Sequence, residues 1–122
     1  KLLNNINKMA DGYDPNRSQN DPDKLAEFIQ APITGEISEV PGVGPASAKK
    51  FAAAGVSTTF GLIGKYLSLK ETGVESVEHC DRFFYWLKDI GTAAGHRSSV
   101  VQAIAQKMDV TFPGIYDASC YE

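Results

Sequence analysis

A chain of 122 residues, 43% hydrophobic and 22% charged, has room for one domain of ordinary size and is too apolar for wholesale disorder. No apolar run approaches the roughly 20 residues that span a bilayer, and no basic-then-apolar leader opens the chain, so membrane insertion is not expected. The formal net charge of −3 speaks against a protein that grips nucleic acid through bulk positive charge.

Residues 1–10 carry Leu2, Leu3, Ile6 and Met9 at helical spacing in an Asn-rich run that makes a weak helix on its own. The chain opens on Lys1, as a processed or trimmed product would. Residues 11–20 are polar and turn-rich and read as a linker, so 1–20 is expected to be an N-terminal arm. Asp21 followed by Pro22 is an N-cap with proline at the first helical position, Leu25, Phe28 and Ile29 give the helix one apolar face, and Pro32 stops it. Residues 33–39 read as irregular or as a short turn. Pro45 starts a second helix over about 45–54, and Gly55 suits its left-handed end. Ser57 or Thr58 caps a third, carrying Phe60, Leu62, Ile63, Tyr66 and Leu67. A fourth spans about 75–90, with Val77, Phe83, Phe84, Trp86, Leu87 and Ile90 apolar and Gly91 ending it. The last spans about 95–109, with Val100, Val101, Ile104, Ala105 and Met108 apolar. No stretch alternates strictly enough for a strand. The expected fold is all-α: a five-helix domain over 21–109, the arm before it and a C-terminal tail over 110–122.

Residues 40–51, VPGVGPASAKKF, carry the chemistry. Two glycines flanking one apolar residue between short helices permit a tight hairpin and a close backbone approach to another molecule. The helix that follows presents unpaired N–H groups and the positive end of its dipole, a site for phosphate, with Lys49 and Lys50 a turn further on. This pattern resembles the helix-hairpin-helix, a motif that positions DNA by its backbone and reads no base. The alternative is a hairpin kept as a packing corner. Residues 32–70 hold four lysines and two glutamates, so the hairpin region is net positive inside an otherwise acidic chain.

A wider stretch, about 24–109, resembles the barrier-to-autointegration factor family, a SAM-like fold. The resemblance runs through EFIQAP, the GVGPASAKKF hairpin, AAAGVSTTFGLIGKYLSLK and RFFYWLKDIGTAAGHRSS, with Gly42, Gly44, Gly55, Gly64, Leu67, Lys70 and Trp86 to Asp89 in family register. It implies a compact five-helix homodimer that binds double-stranded DNA without sequence preference and bridges duplexes. It places the DNA-binding residues at Lys24, Gly42, Val43, Gly44, Ala46, Lys49 and Lys50. It puts a basic residue of the last helix on or near His96. It also implies LEM-domain-like partners and residence in the nucleus or cytoplasm. The chain departs from the family in its two extensions and in the acidic stretch ETGVESVEHCD, 71–81, where the family has a shorter loop. These departures favour the alternative function, a scaffold subunit that reuses the fold for protein contacts without DNA.

Enzyme chemistry finds little footing, and no catalytic residue, metal or cofactor is expected. His79, Cys80 and Asp81 are adjacent, so on a helix they point about 100° apart and do not converge. GVGP lacks the Gly-Lys-Ser/Thr of a nucleotide-binding loop. Phe83 to Trp86 read as core and dimer contact. Tyr13, Tyr116 and Tyr121 read as exposed anchors in the arms. Cys80 and Cys120 read as free thiols in a reducing compartment, with a single disulfide as the alternative in an exported protein.

Overall fold

The computed structural model describes residues 12–122, and the helix expected over 1–10 lies outside them. Five helices follow one another: α1 (Pro22–Gln30), α2 (Pro45–Ala53), α3 (Thr59–Ser68), α4 (Ser76–Asp89) and α5 (Ala94–Thr111). Short 3-10 turns stand at Pro15–Arg17, Ile37–Glu39 and Ala118–Tyr121. The only extended pairing among the described residues is one antiparallel bridge between Glu36 and Thr58. No helix among them is long and apolar enough to cross a membrane.

Local signals set the ends of these helices. The Asp21 carboxylate accepts the N–H groups of Asp23 and Lys24, and Thr58, rather than Ser57, caps α3 by accepting from Gly61 N. Gly55 and Gly91 end α2 and α4 at φ +86° and +94°. In each, the next residue's N–H reaches back over the glycine, Val56 to Phe51 O and Thr92 to Leu87 O, the Schellman arrangement. The acidic stretch 71–81 is loop only as far as Glu75; its second half forms the first turns of α4. Arg82 ties the stretch down by pairing with both Glu71 and Glu78.

Helix α5 is the axis of the fold. It contacts α1, α3, α4 and the Pro15–Arg17 turn, and Val100, Val101, Ala103, Ile104 and Ala105 are fully buried. A helix enclosed on several sides needs apolar or small residues nearly all round, which explains why α5 shows no polar face as clean as that of α1. One charge is taken inside: the Lys107 ammonium donates to the carbonyls of Phe28 (2.7 Å), Ile29 (3.1 Å) and Ala31 (2.7 Å), so α5 supplies the C-terminal cap of α1. Burial lowers the Lys107 pKa from its ordinary value.

The expected linker and tail are not loose. Tyr13, Tyr116 and Tyr121 are buried, which corrects the expectation of three exposed anchors. Tyr13 and Tyr116 share a hydrogen bond of 2.8 Å, and the Tyr121 ring meets both in edge and stacked contacts. Burial drives all three phenols above their ordinary range. The segment 12–20 is laced to α5 by bonds from Asp14 N to Ser98, Gln19 N to Ser99, and Asn20 to Ser99 O and Gln102. Polar residues give the arm the look of a linker, yet its backbone amides at Asp14 and Gln19 and the Asn20 side chain bond to α5.

Candidate nucleic-acid interface

Val40-Pro41-Gly42-Val43 closes a tight turn: Val43 N–H donates to Val40 O at 3.0 Å, and Gly42 sits at φ +93° after a proline, the pattern of a type II turn. Gly42 is required twice over. A Cβ there would lie 2.9 Å from Ser99 Cβ and 3.2 Å from Val100 N, so the hairpin rests directly on the α5 backbone. Val43 is buried in the core and holds the turn down. Gly44 differs: its φ of −102° and ψ of −175° are ordinary extended backbone, and nothing lies within 4 Å of where its Cβ would be.

Gly44 is the N-cap of α2, and Ala93 is the N-cap of α5; neither has a side chain that closes the helix end. Pro45 offers no N–H, which leaves Ala46 and Ser47 with the free donors of α2. The two ends share a surface cleft of about 400 Å³ whose walls include Gly44, Ala46, Lys50, Gly91, Thr92 and His96. The Lys50 side chain lies over Gly91, where a Cβ would come 3.2 Å from Nζ. No carboxylate lines this cleft. Arg97, one residue beyond His96, is turned away to donate to Thr92 O at 2.9 Å. Two helix dipoles and an ammonium thus converge on one concavity, an arrangement that favours an anion.

The site residues named from the sequence fall on two sides of the hairpin. Gly44, Ala46 and Lys50 share this cleft with His96. Gly42, Val43 and Lys24 line a second cleft of about 600 Å³, where Asp21, Glu27 and Glu39 offset the Lys24 charge. Lys49 is exposed on α2 and lines neither. The α5 end of the cleft, Gly91 to Ala93, is not singled out by sequence reasoning. Its one signal is a helix stop at Gly91 followed by a helix start with no capping side chain and no acid in its first turn.

The sequence from residue 19 to residue 111 matches the family model described as Barrier to autointegration factor. The chain belongs to that family. No curated protein and no solved structure gives a significant match. The barrier-to-autointegration factor match stops short of the C-terminal turn that carries Tyr116 and Tyr121, and begins after Tyr13, so the tyrosine clasp stands outside the family region.

The one cluster with a catalytic look disperses in this family member. His79 stacks on Tyr66 at 4.1 Å and bonds the Tyr66 carbonyl through Nε2 at 2.7 Å; burial lowers its pKa. The Cys80 thiol is free and buried, and its pKa is pushed up to about 12 by that burial. Asp81 accepts from Tyr13 N at 2.9 Å. Phe83 and Phe84 are core, while Tyr85 is exposed.

Proposed function

We propose that this protein is a non-enzymatic binder of double-stranded DNA that holds the phosphate backbone without reading bases, and that it bridges duplexes as a homodimer. The carrying observation is the cleft between the N-termini of α2 and α5, with Lys50 in its wall and no carboxylate. Its free N–H groups suit one or two phosphates, and contacts of that kind hold the backbone without reading bases. Family membership supports both DNA binding and the dimer. The net charge of −3 makes the grip local, weak per subunit and dependent on the avidity of a dimer.

A mobility-shift titration across salt concentration tests the reading. Lys50→Glu is expected to weaken binding about tenfold and to flatten the salt slope by roughly 0.9 for each phosphate no longer neutralised. Lys49→Glu, outside the cleft, is expected to do less. Unchanged binding in Lys50→Glu defeats the assignment of this face. The scaffold reading draws on one observation, an open apolar cleft of about 680 Å³ around Leu67, Phe112 and Ile115. It becomes the better account if the protein binds no duplex even at low salt.

A further inference from the structure

We propose that Cys80 and Cys120 form a redox latch: a small disulfide such as glutathione disulfide oxidises them to one bond, which locks the C-terminal turn onto α4. The inference is independent of the DNA reading above. It starts from how the turn is seated. Asp117 N–H donates to Ser76 Oγ at 2.9 Å, so the start of the turn rests on the first turn of α4. Cys80 lies one α-helical turn beyond Ser76, a step of about 6 Å. Cys120 lies one 3-10 turn beyond Asp117, its N–H bonded to Asp117 O at 3.2 Å, again a step of about 6 Å. The two steps run the same way. Tyr121, next to Cys120, sets its ring 5.1 Å from that of Tyr13, and Tyr13 N–H is bonded to Asp81, next to Cys80. Cys120, Ser76 and Asp81 line one cleft. Equal steps from two residues in contact bring the cysteines alongside each other, as a disulfide requires. In keeping with this, charge on Cys120 adds to burial in raising the Cys80 pKa, and both thiols act on the Tyr116 hydroxyl.

Exposure sets the order of the chemistry. Cys120 is half-buried and lines two surface clefts, whereas Cys80 is fully buried. The Cys120 thiolate attacks one sulfur of glutathione disulfide, forms a mixed disulfide and releases one glutathione. The Cys80 thiolate then attacks the Cys120 sulfur, releases the second glutathione and closes the bond. Two protein thiols are oxidised, one small disulfide is reduced to two thiols, and those thiols carry away both protons. Burial keeps Cys80 protonated, so the second step is the slow one. The bond turns residues 80–120 into a closed loop, which limits the unfolded chain more than the folded one. It ties down the C-terminal turn directly and the N-terminal arm through the contact of Tyr121 with Tyr13.

The test exposes the folded full chain to glutathione disulfide and reads its intact mass, its Cys-containing peptides and its thermal melting. The unaltered protein is expected to become lighter by two hydrogens, to retain no glutathione and to yield a peptide joining Cys80 to Cys120. Its melting temperature is expected to rise by about 5–10 °C and to return when dithiothreitol is added. Cys80→Ala is expected to stop at the first step and keep one glutathione on Cys120. Cys120→Ser is expected to stay unmodified, with the same melting temperature in the presence and absence of the oxidant. If Cys80→Ala does not fold, the unaltered chain and Cys120→Ser decide the matter. Glutathione retained by the unaltered protein, a cross-link between two chains through Cys120, thiols still reduced after prolonged exposure, or an oxidised chain that melts no higher than the reduced one overturns the latch. None of these results bears on duplex binding.

Discussion

The two glycines of the hairpin look equivalent in sequence and are expected to respond differently to alanine. At Gly42 the added methyl meets two obstacles. The left-handed backbone, φ +93°, costs a side-chain-bearing residue about 1–2 kcal/mol. Approaches of 2.9 Å to Ser99 Cβ and 3.2 Å to Val100 N force the hairpin off α5, for which overpacking costs of ~1–3 kcal/mol are usual. Loss of unfolded-chain freedom returns only ~0.4–1 kcal/mol. The net expectation for Gly42→Ala is a loss of about 2–4 kcal/mol, read as a urea midpoint lower by roughly 1–2 M at constant slope. At Gly44 the backbone is already that of an ordinary residue and the space is open. There the same entropic gain offsets the weaker capping of alanine, and Gly44→Ala should stay within about 0.5 kcal/mol of the parent. Its methyl nevertheless stands in the cleft wall, so duplex binding should fall while stability holds. Equal stability losses in the two variants would refute this division between a packing glycine and a binding glycine.

Lys107→Met keeps the apolar stem and removes the donor to three α1 carbonyls. Charge-assisted bonds contribute ~1.5–3 kcal/mol each when single, but one ammonium shares its desolvation cost among three, so a net loss of about 2–4 kcal/mol in urea denaturation is expected. An unchanged midpoint would show that water caps α1 equally well. His79 has its pKa lowered by burial in the folded state, so the unfolded chain binds the proton more readily. Stability should therefore be full above pH about 7 and decline as the pH drops through about 6.5, by at most ~1.4 kcal/mol per unit. A urea midpoint that stays constant from neutrality down to pH about 5 would count against this.

The five helices are legible in the sequence because their signals are local. Asp21-Pro22, Pro45, Gly55 and Gly91 act within a turn of themselves, and the observed bounds differ from those expected by one or two residues. The hairpin is legible for the same reason, since a proline and two glycines in five residues leave the backbone few options. The extensions are not. Tyr13 and Tyr116 are 103 residues apart, and their shared bond leaves no periodic trace.

The sequence by itself determined which segments are helical, where they stop, the family, and that a turn of one proline and two glycines leads into α2. The tertiary structure alone decided what surrounds that turn. It laid Gly42 against α5, set Lys24 among carboxylates, and brought the uncapped start of α5 into one cleft with Lys50. The physical reason is range. Caps and turns depend on neighbours a few residues away, whereas the field in a cleft is the sum over helix ends and charges that only folding brings together.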